Sequence, residues 1–327
     1  MTWGERERAG FLSEAGPGLE VEQRPSLPLR LLGDGAAEAL AELDRFHSGD
    51  HSDRVQTGIR ALDRKLGGGL RRGTLTLIGA PSGGGKTSLV QQVATHAAER
   101  GGVLLVSPEM GLAELAEREI IRRSRFTRDD RAPWEHDEDM RTLATTAHMR
   151  AEQGLRDERL PVYVLDSPEV TMDDVEDAAR RVPALALVLI DYAQQVATPD
   201  ERRPRYLQVG DVGTRAVRLA GERKVPVVVA SQVNVVTDKG GATSYTFRET
   251  AILEQKAHTV IVLSVEWGKP DENGRRNVER AEMRIAKQRS GALYTWEVSY
   301  EPRLYEIREK ETRAYQARLI PPVEVPR

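Results

Sequence analysis

A glycine-rich segment between an apolar run and a helical pattern constrains this chain more than any other feature. The apolar residues 75–78 precede the segment 79–88, which reads GAPSGGGKTS, and residues 89–94 follow with helical spacing. In such a loop, glycines let successive backbone N–H groups turn inward around a triphosphate, and the N-terminus of the helix adds a favourable dipole. Strand, glycine-rich loop and helix in this order are typical of a P-loop. The sequence therefore predicts a nucleoside triphosphate site at this loop.

The residues of the loop have different predicted roles. Lys86 is expected to reach the β- and γ-phosphates, and the hydroxyl of Thr87 is expected to ligate Mg²⁺. Nucleotide contacts are predicted for Ala80, Pro81, Ser82, Gly83, Gly84, Gly85, Lys86, Thr87 and Ser88. Ala80 departs from the strict motif, which has its first glycine at that position. A glycine-rich turn without a ligand is the alternative, and the Gly-Lys-Thr sequence in this setting argues against it.

Composition limits the class of protein. The chain has 327 residues, of which 39% are hydrophobic and 30% charged, as in ordinary globular proteins of one large or two small domains. Its net charge of −3 means that contact with nucleic acid requires a local basic surface. No cysteine is present, which excludes disulfides, thiolate zinc sites and cysteine nucleophiles. Since the N-terminus is not signal-like and no stretch approaches about 18 apolar residues, we expect a soluble, cytoplasmic protein without membrane contact.

Apolar runs that alternate with helical patterns predict an α/β fold built on a largely parallel, doubly wound sheet. Residues 185–190 and 225–230 are apolar, or nearly so, throughout, as in strands buried on both faces. Asp191 follows the first of these runs, and ligands in open α/β sheets bind at the carboxyl ends of the strands. Asp191 is therefore the candidate for the second Mg²⁺-organising group, with an Asp that merely starts a turn as the alternative. Residues 280–307 alternate as antiparallel strands do, at the C-terminal end of the fold.

The chain is predicted to have three parts. Residues 1–50 form an N-terminal arm that includes a candidate linker helix over residues 36–46. This helix either packs on its own domain or docks onto a neighbouring copy. Residues 51–310 form the α/β domain, and residues 311–327 form a proline-bearing C-terminal tail.

Six segments occur in the same order as in the ATPase domain of DnaB-type hexameric replicative helicases, of superfamily 4, and resemble it in sequence. They are residues 57–68 at the entry to the domain, 80–87 in the P-loop, 107–110 (SPEM), 191–194 (DYAQ), 231–234 (SQVN) and 285–291 (IAKQRSG). That family commonly has Ala at the first P-loop position, as this chain does. The resemblance covers residues 55–307, and six ordered motifs are more specific than a lone P-loop. It implies a RecA-like P-loop NTPase fold with ATP and Mg²⁺ as ligands.

The resemblance also implies roles for residues outside the P-loop. Glu109 corresponds to the group that positions the attacking water or takes its proton, and Gln232 to the sensor of the γ-phosphate. Lys287 and Arg289, two residues apart on a predicted strand and hence on one face, correspond to a pair that reaches the ATP of the adjacent subunit. A site shared in this way implies a homo-oligomer, with a hexameric ring as the expected form. Without the resemblance, Glu109 would be an ordinary exposed carboxylate and the pair an ordinary basic strand edge.

In rings of this kind, loops that face the central channel hold the DNA backbone. Two predicted loops are candidates for this contact with single-stranded DNA: residues 198–206, which are basic, and residues 235–248, which belong to the Gly-, Ser- and Thr-rich segment 233–248 that is predicted to be mobile. The candidate DNA-binding residues are Arg202, Arg203, Arg205, Lys239, Gly240 and Arg248. The alternative is that these charges form ordinary solvated surface.

Two features depart from the family pattern. The family usually carries an N-terminal helical domain that contacts primase, whereas residues 1–50 show no such pattern, so a contact with primase is doubtful. In the segment that follows the second candidate DNA loop, Lys256 and His258 replace two acids of the family pattern, and Ala251 replaces a glycine. A change at this place would affect the translocation step.

The sequence favours an ATP-dependent DNA helicase or translocase, an enzyme that hydrolyses ATP as a hexameric ring on single-stranded DNA during replication. Two alternatives stay open. One is a recombination ATPase related to RecA or RadA, although the chain lacks the cysteines of the zinc finger typical of RadA. The other is a module that binds ATP only to assemble, although a scaffold has no need of Glu109.

Overall fold

The computed structural model describes most of the chain between its two ends. The described ranges are residues 31–127, 137–198, 202–237, 243–246, 251–272 and 274–310. The chain divides into two compact units, residues 1–45 and residues 46–327. Within the described ranges, every helix is too short or too polar to cross a lipid bilayer.

The first unit contains the start of the predicted N-terminal helix. A 3₁₀ helix at Leu32–Gly35 leads into helix α1, Ala36–Ser48, which is two residues longer than the prediction over residues 36–46. Residues 1–30 of the predicted N-terminal arm, and the predicted tail, residues 311–327, lie outside the described residues.

The second unit is built on one large sheet. Its strands and those of two small sheets are β1 (Arg54–Val55), β2 (Leu70–Arg71), β3 (Leu75–Ala80), β4 (Gly102–Val106), β5 (Val162–Leu165), β6 (Leu185–Ile190), β7 (Val227–Gln232), β8 (Asn234–Thr237), β9 (Thr243–Thr246), β10 (Thr259–Trp267), β11 (Val278–Gln288), β12 (Tyr294–Glu301) and β13 (Glu306–Glu309). The nine-stranded sheet has the order β13-β12-β11-β10-β3-β7-β6-β4-β5. Strands β10 to β5 in this order pair in parallel, whereas β10, β11, β12 and β13 pair antiparallel. The predicted α/β class, with antiparallel strands at the C-terminal end, is confirmed.

Helices and apolar side chains cover both faces of this sheet. The helices of the second unit are α2 (Arg60–Lys65), α3 (Lys86–Ala97), α4 (Leu112–Ser124), α5 (Glu138–Glu158), α6 (Met172–Arg181), α7 (Arg205–Arg223) and α8 (Ala251–Lys256). In β6, Leu187 and Leu189 belong to one buried apolar cluster, and Val188 and Ile190 belong to another. Because successive side chains of a strand point to opposite faces, the two clusters lie on opposite sides of the sheet. This is the double burial that the uninterrupted apolar runs predict.

The parallel strands bring the motifs of the sequence to one edge of the sheet. Ala80 at the end of β3 pairs with Gln232 at the end of β7. Val106 at the end of β4 pairs with Ile190 of β6, and the N–H of Asp191 donates to the carbonyl of Val106 over 2.8 Å. The P-loop, the segment after β4, Asp191 and Gln232 therefore meet at the carboxyl edge.

Strand β11 ends at the opposite edge. The N–H of Arg289 donates to the carbonyl of His258 over 3.1 Å, and the N–H of His258 donates to the carbonyl of Leu75 over 2.8 Å. Leu75 is the first residue of β3. Arg289 is therefore about 16 Å, the length of β3, from the edge that carries the P-loop.

The structure differs from the predicted loops. Residues 198–206 do not form a loop throughout, because α7 already begins at Arg205, directly after a proline, which a helix tolerates at its start. The described part of residues 233–248 is the antiparallel hairpin β8–β9, whose strands consist mainly of Val, Thr and Tyr, which favour β-structure. The short helix α8 was not predicted either. It forms because Leu253 is fully buried against the second apolar cluster.

The contact between α7 and α8 depends on glycine, which leads to a prediction for stability. A Cβ atom at Gly213 would lie 2.5 Å from Cδ2 of the buried Leu253, whereas a Cβ atom at Gly221 in the same helix would meet nothing within 4 Å. Gly213→Ala is expected to destabilise the fold by about 1–3 kcal/mol through overpacking. Gly221→Ala is expected to stabilise it by roughly 0.5–1 kcal/mol, since alanine favours a helix interior. Chemical denaturation of both variants would measure this, and equal effects would contradict the described packing.

Candidate nucleotide-binding site

The loop between β3 and α3 has a backbone that requires glycine. Gly83 and Gly85 have φ angles of 70° and 81°, in the left-handed region that other residues rarely adopt. The N–H of Gly84 donates to the carbonyl of Pro81 over 3.0 Å, and a Cβ atom at Gly84 would lie 2.8 Å from the Pro81 ring. Helix α3 begins at Lys86, so the N-terminus of a 12-residue helix points at the loop.

This loop forms one wall of a cavity of about 430 Å³, a size typical of small-molecule sites. The cavity is lined by Pro81, Ser82, Gly83, Gly84, Gly85, Lys86, Thr87, Ser88, Glu109, Met110, Glu114, Arg118, Tyr192, Gln232, Tyr300 and Tyr305. The structure thus brings together the predicted P-loop residues, Glu109 and Gln232. Ala80, also a predicted nucleotide contact, does not line the cavity because it is fully buried at the end of β3.

Lys86, which lines the cavity, faces the carboxyl group of Asp191, which is buried and not part of the lining. The Nζ atom of Lys86 lies 3.9 Å from Oδ1 of Asp191 and 3.8 Å from the ring centroid of Tyr192. Burial raises the pKa of the Asp191 carboxyl, and the positive charge of Lys86 opposes this. Burial lowers the pKa of the Lys86 ammonium, and the charges of Asp191 and Glu109 oppose this. A polyanion at Lys86 and a divalent cation at Asp191 would therefore favour the charged forms of both groups.

The donor set at Asp191 fits Mg²⁺ that is bound together with phosphate. Among the described residues, buried Oδ1 of Asp191 has no hydrogen-bond partner, and the hydroxyl of Thr87 bonds to the same carboxyl group. No cluster of three or more His, Cys, Asp or Glu side chains that could hold a metal occurs in the described part of the chain. Mg²⁺ commonly takes one or two protein ligands and completes its shell with phosphate oxygens and water. One carboxylate and one hydroxyl are sufficient for that mode of binding.

Glu109 and Gln232 reach the cavity from two neighbouring segments. Glu109 is exposed in the turn after β4, which is held by a 2.9 Å hydrogen bond from the hydroxyl of Ser107 to the carbonyl of Met110. Gln232 is exposed at the end of β7, directly beside the P-loop strand. The side chain of Gln194 donates to Oγ of Ser231 over 3.2 Å, so the segment after Asp191 is tied to the residue before Gln232.

Several lining residues were not predicted from the sequence. Arg118 of α4 bonds to Glu114 over 3.2 Å, and its guanidinium lies 4.8 Å from the ring centroid of Tyr305. Tyr300 packs so closely on the P-loop that a Cβ atom at Gly85 would lie 2.8 Å from its ring. Arg118 follows Glu114 by four residues, a spacing that places two side chains next to each other on a helix, so the sequence could have indicated this pair. The two tyrosines are far from the P-loop in sequence, and only the pairing of β12 places them there.

Lys287 and Arg289 do not line this cavity. The Nζ atom of Lys287 donates to the carbonyls of Glu254 and Gln255 over 2.7 and 2.8 Å, and the guanidinium of Arg289 donates to the carbonyl of Gln255 over 3.3 Å. The two side chains therefore lie on the same side, at the C-terminus of α8, where carbonyl groups attract cations. They are at the edge of the sheet opposite to the P-loop.

His258 lies next to this pair. Its Nε2 and Nδ1 atoms are each 3.2 Å from a hydroxyl, that of Ser290 and that of Thr259 respectively. Burial, together with the charges of Arg71 and Arg289, lowers the pKa of His258 to about 4, so the imidazole is neutral near pH 7. Because the imidazole is neutral, it forms no ion pair with Arg289.

The candidate DNA-binding residues are described only in part. Arg202 is exposed in the turn before α7. Arg203 forms an ion pair with Asp211. Arg205, in the first turn of α7, donates to the main-chain oxygen of Gln194. The others, Lys239, Gly240 and Arg248, lie outside the described residues.

Known proteins are similar to this chain in both sequence and fold. The sequence profile of the DnaB-like helicase C terminal domain matches residues 54–309. The replicative DNA helicase DnaB of Leifsonia xyli subsp. xyli is 29% identical over 276 residues, which are 79% of this chain and 57% of that protein. The chain therefore spans little more than half the length of this relative.

Two solved structures are similar in fold. The first is an ATPase domain, which has a TM-score of 0.65 at 21% identity, covering 84% of this chain and 98% of that domain. The second is a DnaB-like replicative helicase, solved to describe its interactions with primase, which has a TM-score of 0.66 at 20% identity, covering 87% of this chain and 68% of that chain. The RecA-like ATPase fold and the profile match together establish the relationship. This chain belongs to the family of DnaB-like helicase C-terminal domains.

Proposed function

We propose that this chain is an ATP-dependent DNA helicase or translocase that acts as a ring of six copies on single-stranded DNA in replication. The observation that carries the proposal is the division of one catalytic set between two edges of the sheet. Lys86, Thr87 and Glu109 line the P-loop cavity, whereas Lys287 and Arg289 lie at the opposite edge. Because the chain belongs to the DnaB-like family, we infer that the polymer along which it moves is DNA.

Each candidate side chain in or beside the cavity has a role that its position supports. Lys86 and the N–H groups of the P-loop hold the phosphates of ATP, and Thr87 and Asp191 hold Mg²⁺. When bound, Mg²⁺ neutralises charge on the phosphate oxygens. Glu109 is close enough to influence the charge of Lys86, and it orients the attacking water and accepts its proton. Gln232, beside the P-loop strand, senses the γ-phosphate.

The opposite edge serves the next copy. Because Arg289 is about 16 Å from the P-loop edge of its own chain, it can stabilise transition-state charge only on the nucleotide of a neighbour. Contacts between one edge of a copy and the opposite edge of the next copy are head-to-tail, and they form a closed ring where the rotation between copies closes. Helix α1 exposes Leu40 and Leu43, at 59% and 54%, which suits its proposed role as a linker helix on a neighbouring copy. The family match over residues 54–309 supports an ATPase domain at residues 51–310.

The DNA contact is assigned to the candidate loops. The hairpin β8–β9 flanks Lys239 and Gly240, Arg248 follows the hairpin, and Arg202 lies in the turn before α7. A loop with cations and glycine can hold a phosphate backbone electrostatically without reading its sequence.

The test is the rate of ATP hydrolysis by the native chain with and without single-stranded DNA. We expect DNA to raise the rate, and the stimulation to fall with added salt because phosphate contacts release counterions. Unwinding of forks with labelled strands would then separate a helicase from a translocase. Absence of DNA stimulation would contradict the proposal, and strand exchange without unwinding would favour a recombination ATPase instead.

A further inference from the structure

Tyr245 connects the hairpin β8–β9 to the body of the domain. The residue is half-buried on β9, and its ring centroid lies 5.5 Å from the guanidinium of Arg284 on β11, within the range of a cation–π contact. The ring also packs, together with Ala286, against the apolar cluster that contains Leu253 of α8. A two-stranded hairpin is marginally stable by itself, so this docking contact helps to set where the hairpin lies.

Strand β11 has a β-bulge between Arg284, which contacts Tyr245, and Lys287. Ile285 pairs with Ile261 and Lys287 pairs with Val260, so Ala286 is an extra residue on β11. Ile285 packs into the apolar cluster on the face of the sheet opposite to Tyr245. Because side chains alternate between the two faces along a regular strand, Lys287, two residues later, would point to that same face. Bulges re-aim side chains, and here the bulge directs Lys287 to α8 instead.

Helix α8 also takes part in the link between the hairpin β8–β9 and Lys287. Burial raises the pKa of the Tyr245 hydroxyl, while the charge of Arg284 lowers it and the charge of Glu254 raises it further. The charges of Arg284 on β11 and of Glu254 on α8 thus act on the pKa of the Tyr245 hydroxyl in opposite directions. The carbonyl of that same acid, Glu254, accepts the 2.7 Å hydrogen bond from Lys287. The hairpin thus contacts β11 through Tyr245 and Arg284, and β11 contacts α8 through Lys287.

We propose that Tyr245 is a positioning residue through which DNA binding at the hairpin β8–β9 changes the placement of Lys287 and Arg289 at the nucleotide of the neighbouring copy. This inference rests on the function proposed above and adds to it a route by which DNA regulates hydrolysis. A hairpin that shifts on DNA moves the Tyr245 ring. Arg284, which contacts that ring, lies on the same strand as Lys287. Leu253 of α8 belongs to the apolar cluster against which the ring packs, and the last carbonyls of α8 accept the hydrogen bonds of Lys287.

The test compares ATP turnover with and without a saturating oligothymidylate. For Tyr245→Ala, the ratio of DNA-stimulated to basal turnover is expected to fall roughly threefold to thirtyfold, the range of a partly desolvated cation–π contact. Saturating DNA makes the result independent of any loss of DNA affinity. Tyr245→Phe keeps the ring and is expected to keep the ratio within about twofold. Arg284→Leu tests the same contact from the other side, should Tyr245→Ala not fold.

A matched control is Tyr294→Ala, which removes a contact of the same kind at Lys65, 4.6 Å from the Tyr294 ring, on the neighbouring strand β12. Its ratio should equal that of the native chain. If DNA stimulates the native chain and Tyr245→Ala equally at saturation, the inference is wrong and the proposed function stands. If DNA does not stimulate the native chain, the proposed function is wrong and this inference falls with it.

Discussion

Replacing Glu109 by glutamine is expected to lower the turnover of ATP by a factor of about 10²–10⁴, the usual contribution of a general base. The amide keeps the size of the side chain and removes its ability to accept a proton. Since the phosphate contacts come from the P-loop and Lys86, nucleotide binding should be nearly unchanged. Steady-state hydrolysis and the affinity for a fluorescent ATP analogue would measure the two effects separately.

Glu169→Gln is the control for this substitution. Glu169 is exposed in the loop after β5, at the same edge of the sheet, and does not line the cavity. The chemical change is identical, so turnover should remain native. Full activity of Glu109→Gln would contradict the role of Glu109 as the base. Loss of nucleotide affinity with loss of turnover would mean that Glu109 helps to bind ATP rather than to activate water.

Arg289→Ala is expected to lower turnover by about 10³-fold or more, the effect of removing an arginine that stabilises charge in phosphoryl transfer. The nucleotide affinity of each copy should change little, because Arg289 is remote from the P-loop of its own chain. The control is Arg276→Ala, which removes the same charge from an exposed residue between β10 and β11, a position to which no catalytic role is assigned. Native turnover of the Arg289→Ala variant would show that Arg289 has no catalytic role.

Those parts of the site that depend on short stretches of sequence could be predicted. Lys86 and Thr87 are fixed by the P-loop itself, and Asp191 by its place after a buried run. In each case one strand end is followed at once by the functional side chain, and parallel strands bring such ends to one edge. The same reasoning predicts the central strands and most of the helices.

The parts that depend on pairing between distant segments could not be predicted. Tyr300 and Tyr305 reach the P-loop only because the C-terminal strands fold back beside it. The β-bulge at Ala286 is set by the register of β10 and β11, which no local pattern encodes, and it decides which face Lys287 occupies. The Gly and Ser content around the hairpin β8–β9 predicts a mobile loop, because it outweighs the Val, Thr and Tyr residues that form the two strands.

Helix α8 illustrates how function and packing meet at one element. It is only six residues long and would not be stable alone, and it is held by close packing on Gly210 and Gly213 of α7. Its last carbonyls bind the two cations that we assign to the neighbouring nucleotide. For this reason Gly213→Ala is also expected to disturb the placement of those cations, in addition to its effect on stability.

We propose that each active site is shared by two copies, and mixing two inactive variants tests this sharing. Lys86→Ala abolishes phosphate binding, and Arg289→Ala removes the cation that acts on the neighbour. In rings assembled from equal amounts of both, roughly a quarter of the interfaces combine an intact P-loop with an intact Arg289, as head-to-tail contacts require. The mixture is expected to recover about that fraction of native turnover. A mixture as inactive as its two components would show that Arg289 acts within its own chain or not at all, and that the active site is not shared.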